Sequence, residues 1–176
     1  MKRMGVPVMD LMQIHNLRDW KVHMPTLRQW KEEGKIRYIG ITTSHGRRHA
    51  DIERILATEA IDFVQVTYNV LDREVEDRIL PLARERGVAV IINRPFQRGA
   101  LLSRLERHAL PDWLAETGAQ SWAQFLLKFV ISHPAVTCAI PATSQVAHVR
   151  ENLDASVGAL PDAALRKRMA DYVRQL

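Results

Sequence analysis

The chain has 176 residues, 47% of them hydrophobic, and carries 25 lysines and arginines against 20 acids, a formal charge of +5. That length suffices for one domain with a substantial core, and no apolar run is long enough to cross a bilayer. The lone Cys138 excludes an internal disulfide and any CxxC redox or zinc motif, so a free thiol buried in a strand is expected and no metal site. The basic excess does not form a nucleic-acid stripe, because most charges alternate with acids on helical patterns, as in Asp72-Arg-Glu-Val-Glu-Asp-Arg78. The densest basic cluster, Gly46-Arg-Arg-His49, reads as the opening of a helix. Asp10 interrupts the apolar stretch after the basic N-terminus, which does not resemble a signal peptide, and a cytoplasmic location is expected.

In chain order, strands are predicted over residues 8–14, 38–41, 63–66, 88–92 and 136–140. Helices are predicted over 24–33, 50–57, 74–86, 121–131, 144–156 and 162–175. Gly34, Gly87 and Gly118 stand where left-handed helix ends are needed, and Pro81 kinks or restarts its helix. Residues 97–119 have no clear period and read as a long irregular loop of functional type. Alternating strands and helices imply parallel βα units, and the near-continuous apolar strands fit a buried parallel sheet. The expected architecture is α/β, one domain over residues 1–176.

Polar residues follow each strand: His15-Asn16, Thr42-Thr43, Tyr68-Asn69, Asn93-Arg94 and 141–144, with Gln65 inside the third. In (β/α) barrels the site is built from such carboxyl ends, so a shared site is expected there. The fifth unit is the most informative. Pro141 ends an apolar run, Thr143 and Ser144 are suitable N-caps, and Val146, Val149 and Leu153 fall on one helical face. Free amides at that helix start suit a phosphate.

Taken together these segments resemble the aldo-keto reductases, in order and over essentially the whole chain. Met9-Asp-Leu-Met-Gln-Ile-His-Asn16 is similar to the family's fourth strand with its active-site histidine. The stretch from Gly34 to Thr42-Thr43-Ser44 resembles the fifth, which holds the nicotinamide carboxamide, and Phe63-Val-Gln-Val-Thr-Tyr-Asn69 the sixth, with Gln65 at the cofactor-contacting glutamine. Ile92-Asn-Arg-Pro-Phe96 resembles the seventh strand. Ile140-Pro-Ala-Thr-Ser-Gln, with Arg150-Glu-Asn152, resembles the eighth strand and the adenosine-phosphate segment.

The resemblance implies a partial TIM barrel of about five βα units, strands four to eight, and NADPH-linked reduction of aldehydes and ketones. It makes His15 the catalytic candidate. It implies cofactor contacts by Thr42, Thr43, Gln65, Asn93, Arg94, Pro141, Thr143, Ser144, His148, Glu151 and Asn152. The family's aspartate, tyrosine and lysine precede the fourth strand and have no counterpart here; Tyr38, Tyr68 and Tyr172 occupy other motifs. A full barrel takes about 250 residues, so roughly three strands are absent. Thr42-Thr43 replace Ser-Asn, Asn93 replaces a stacking tyrosine, Ala142 stands where some members carry lysine, and His148 replaces the arginine on the adenosine phosphate. NADP(H) is the cofactor the resemblance implies, but these departures remove its usual phosphate contact, so NAD(H) stands as the alternative. The chain alone is expected to be catalytically incomplete. Exposed edge strands imply self-association or a complementing front-half polypeptide, with no nucleic-acid or membrane partner. A non-catalytic nucleotide-binding or association module and a truncated reading frame are the alternative readings.

Overall fold

The computed structural model describes residues 4–44 and 46–176. Five parallel strands form one sheet in chain order: β1 (Met9–His15), β2 (Ile36–Thr42), β3 (Phe63–Thr67), β4 (Ala89–Asn93) and β5 (Cys138–Ala139). Between and after them lie α1 (Trp20–Glu32), α2 (His49–Thr58), α3 (Ile79–Glu85), α4 (Ala100–Leu105), α5 (Trp122–Ile131), α6 (Val146–Asp154) and α7 (Ala163–Gln175). Sequential order with a helix behind each strand is the connectivity of successive βα units.

Period-two alternation assigns the faces. Ile14, Ile39, Ile41, Val64, Val66, Val90 and Ile92 are buried against the helices. The opposite face carries Leu11, Gln13, Tyr38, Phe63, Gln65 and Ile91 and is only partly covered, Tyr38 being 45% exposed. Gly40 lies on that face because nothing larger fits: a Cβ there would stand 3.0 Å from Gln13 Cγ and 3.1 Å from the Phe63 carbonyl.

Several elements differ from the sequence prediction. The first helix begins at Trp20 rather than 24, because its buried side extends back from Met24 and Leu27 to half-buried Trp20, and it accommodates Pro25 internally. The predicted helix 74–86 divides into a 3₁₀ turn, Glu74–Glu76, and α3. Pro81 is the third residue of α3, a first-turn position where no N–H is needed, so it restarts the helix. The predicted loop 97–119 contains α4 and two 3₁₀ turns, Gln97–Gly99 and Asp112–Thr117. α5 and α7 carry side-chain caps one residue before each helix: Ser121 Oγ accepts from Gln124 N at 3.3 Å and Asp162 Oδ1 from Leu165 N at 2.8 Å.

The last strand departs most. It spans two residues rather than 136–140, although the Thr137 and Ile140 amides still donate to the Val90 and Ile92 carbonyls, each at 2.9 Å. Cys138 is exposed, not buried, and Ile140 is 47% exposed. The reason is position: among the described residues β5 is one edge of the sheet, as β1 is the other. α6 likewise starts at Val146, after Gln145, and has no side-chain cap, so Ser144 is not its N-cap. Thr143 Oγ1 instead accepts from the Gln145 amide at 3.1 Å. The Val146, Val149 and Leu153 face points to solvent, Val146 being 71% and Leu153 64% exposed.

Two polar clusters behind the sheet fix the helical layer. Lys128 has no exposed surface, and its Nζ donates to the Val157 and Ala159 carbonyls at 2.8 and 3.0 Å, tying the α6–α7 connection to α5. Burial pushes its ammonium pKa down. Tyr68 follows β3 and donates its hydroxyl to Glu76. Glu76 also takes Arg73 at 2.6 Å and Arg166 of α7 at 3.0 Å. Burial, with Glu76 beside it, raises the Tyr68 pKa. Burial would raise the Glu76 carboxyl as well, but hydrogen bonds from Arg73 and Tyr68 and the two guanidinium charges hold it below its usual value.

Candidate functional site

The carboxyl ends of the strands align in one row. His15 is in register with Thr42, Thr42 with Gln65, and Thr67 with Asn93. Parallel pairing makes this unavoidable: once the apolar strands are in register, the polar residues that end them become neighbours. His15 lies at the open edge and is exposed, whereas Thr42 and Thr43 are buried.

Asn93 knits the row together. Its Nδ2 donates to the Thr43 carbonyl at 2.8 Å, and its Oδ1 accepts from the Thr67 hydroxyl at 2.7 Å. The Thr43 amide donates to the Gln65 carbonyl at 3.0 Å. Asn69 clamps the next layer: its Oδ1 accepts from the Leu71 and Asp72 amides, and its Nδ2 donates to Asp72 and to the Arg94 carbonyl. Thr67 was not among the sequence candidates, though its place two residues after Gln65 on the same strand face was available as a signal.

Beside this row lies a cavity of about 720 Å³. Arg94, Pro141, Thr143, His148, Glu151 and Asn152 line it, so six of the sequence candidates converge there. Thr42, Thr43, Gln65 and Asn93 stay on the sheet end, and Ser144 is not in the cavity wall. Thr143 Oγ1 lies 3.3 Å from His148 Nδ1. Phe96, Arg98, Leu102 and Trp122 also line it; Phe96 closes the segment that resembles the seventh strand, Arg98 and Leu102 fall in the predicted loop 97–119, and Trp122 in the predicted helix 121–131. Three non-glycine residues of that wall segment, Arg94, Gln97 and Arg98, hold left-handed φ values of 54°, 49° and 61°. Burial first, and then the charges of Arg98 and Arg47, lower the Arg94 pKa, with Asp72 opposing. The cavity wall combines Phe96, Leu102 and Trp122 with two guanidinium groups, Arg94 and Arg98, and two carboxylates, Glu106 and Glu151, so it offers both apolar surface and charged groups to a ligand.

None of the three tyrosines faces the row of polar groups: Tyr68, directly after β3, is fully buried with its hydroxyl on Glu76. Tyr38 lies four residues before Thr42, about 13 Å away along the strand, and packs edge-on against Phe63. Tyr68 is engaged behind the sheet, and Tyr172 of α7 packs against Trp113 and Trp122. Among the described residues no three metal-binding side chains converge, and no helix is long and apolar enough to cross a membrane.

Parallel βα units in sequential order, with polar groups gathered at the strand carboxyl ends, define an open portion of a (β/α) barrel. The aldo/keto reductase family model matches residues 1–167, and the chain belongs to that family. It is 29% identical over 121 residues, 63% of its length and 35% of the relative's, to an NADH-specific methylglyoxal reductase of Escherichia coli (strain K12). In structure it is similar to the aldo-keto reductase AKR11C1 from Bacillus halodurans in its holo form, with a TM-score of 0.77 and 25% identity, covering 98% of this chain and 63% of that one. An aldo/keto reductase from Klebsiella pneumoniae in complex with NADP and acetate shares the fold, with a TM-score of 0.75 and 24% identity, covering 98% of this chain and 61% of that one. The chain thus spans less than two thirds of the length of each of these proteins.

Proposed function

We propose that this chain supplies the cofactor-binding part of an NADP(H)-linked carbonyl oxidoreductase, with NAD(H) as the alternative cofactor, and that it is catalytically incomplete alone. The observation that carries this reading is the convergence of Arg94, Pro141, Thr143, His148, Glu151 and Asn152 on one cavity beside the His15–Thr42–Gln65 row. The wall residues fit a nicotinamide dinucleotide: Arg94 and Arg98 offer charge to phosphates, Phe96 and Trp122 offer apolar surface, and Thr143 and His148 add polar groups. When bound, that cofactor supplies the hydride. His15, exposed at the edge, would orient a small carbonyl substrate, but Tyr68, the tyrosine next to the row, is buried on Glu76 and cannot deliver the proton to its oxygen.

The open edges support association as the route to completion. Among the described residues β1 and β5 each leave one side of the sheet unpaired, one face of the sheet is only partly covered, and α6 exposes an apolar stripe. The partner is either a polypeptide carrying the front of the barrel or a second copy of this chain. A non-catalytic association module is the second reading, favoured by the same exposed stripe. Cytoplasm is the proposed location, since it keeps the Cys138 thiol reduced.

Calorimetric titration with NADPH, NADH and adenosine 2′,5′-bisphosphate tests the cofactor reading. Weak NADPH binding that is reduced by Thr143→Ala and Glu151→Ala is expected. Absence of heat from all three ligands at millimolar concentration would overturn it. The isolated chain should reduce aldehydes at least 100-fold more slowly than a complete enzyme, since general acid catalysis contributes about 100- to 10,000-fold. Robust NADPH consumption that vanishes in His15→Ala would refute catalytic incompleteness.

A further inference from the structure

A second cavity, of about 330 Å³, lies where β1 and β2 end. Asn16, Thr43, Ser44, Arg47 and Arg48 line it, starting one residue beyond the His15–Thr42 pair. Its wall presents two guanidinium groups, two hydroxyls and an amide, and no carboxylate. Arg48 is used to build the wall. Its Nη1 donates to the Asn16 and Leu17 carbonyls, each at 3.0 Å, and its Nε to Asp51 at 2.9 Å. Asn16, Leu17 and Arg48 all hold left-handed φ values, 55°, 53° and 62°, and the buried Leu17 side chain locks the first loop down. Residues with a Cβ adopt that conformation only where the surroundings impose it. Arg47 is different: it is exposed and has no ion pair among the described residues. The structure therefore fixes one arginine as scaffold and leaves the other free toward the same cavity.

We propose that this cavity receives the anionic group of the carbonyl substrate, a carboxylate or a phosphate, which makes the substrate class an acidic aldehyde or ketone. The inference rests on the reading of His15 as part of the active site. The chemistry follows from the donors: guanidinium and hydroxyl groups match carboxylate and phosphate oxygens, and no acid in the wall repels them. Position supplies the rest. An anion held between Asn16 and Arg47 keeps the attached carbonyl near His15 and the sheet row, while the 720 Å³ cavity on the β4–β5 side remains for the cofactor.

Calorimetric titrations with pyruvate and inorganic phosphate, with acetone as the uncharged control, test this in the presence and absence of saturating NADP⁺. Pyruvate and phosphate should bind and acetone should not. Arg47→Gln should weaken both anions roughly tenfold or more, the loss of one charge-assisted hydrogen bond, and Arg47→Lys should restore part of it. Because Arg47 is exposed, both variants should melt like the parent. NADP⁺ should neither displace the anions nor bind Arg47→Gln less tightly. Competition between phosphate and NADP⁺ would assign the anion site to the cofactor and overturn the inference, as would anion binding indifferent to Arg47→Gln. Arg47-dependent pyruvate binding with no NADP⁺ binding at all would instead sink the cofactor reading and leave this one standing.

Discussion

Glu76→Gln is the most informative single change behind the sheet. Glu76 receives Arg73, Arg166 and the Tyr68 hydroxyl, and through Arg166 it fastens α7 to the segment after β3. The Arg166 side chain is 12% and the Glu76 side chain 19% exposed, so solvent screens the pair weakly. Removing the anion leaves two guanidinium groups facing a neutral amide. Breaking a buried pair from one side costs about 3–5 kcal/mol. That is a large share of a net stability of about 5–15 kcal/mol. For a chain of this length it corresponds to a fall in Tm of about 6–20 °C. The pH dependence has a defined sign. The folded carboxyl lies below its ordinary 4.5, so its contribution is complete above that pH and is lost as pH falls through the lower folded value. Thermal and urea melts at fixed protein concentration, from pH 7 down to 3, are the assay. The parent should lose stability on acidification more steeply than Glu76→Gln, and Arg166→Met in the Glu76→Gln background should cost less than in the parent. A Glu76→Gln variant within about 0.5 kcal/mol of the parent, the range of an ordinary surface change, would refute the anchoring argument.

His133, lying edge-on to Tyr68, is half-buried, and desolvation first and then Arg166 lower its pKa from 6.5 to about 4. Its contribution is present above pH 6.5 and is lost as pH falls toward 4, so His133→Gln should flatten the stability profile in that window, as read by urea midpoints. Gly40→Ala should destabilise by about 1–3 kcal/mol, since the added methyl meets Gln13 and the Phe63 carbonyl; an unchanged Tm would show that this face repacks freely. Val149→Asp with Leu153→Asp should shift sedimentation toward the monomer without lowering the melting temperature of the monomer, because neither side chain is buried within the chain.

Much of the fold was legible because each strand and most helices declare themselves by local period. Residues 63–66 and 88–92 alternate helix-facing and open-face positions as parallel strands must, and the polar residue ending each run already marked His15, Thr42 and Asn93 as neighbours. The segment 141–152 carried the expectation of a phosphate site, and the structure brings Pro141, Thr143, His148, Glu151 and Asn152 to one cavity. Tertiary structure decided what these residues touch. The Asn93 amide is spent on Thr43 and Thr67, Lys128 is buried on two carbonyls, and Arg48 holds the loop after His15 from 31 and 32 residues away in sequence. The Val146–Val149–Leu153 stripe and Cys138 make the same point from the other side. Period reveals that a helix has an apolar face and that a run is a strand. Whether that face or strand is covered depends on what lies beyond the edge of the sheet, and no local pattern encodes it.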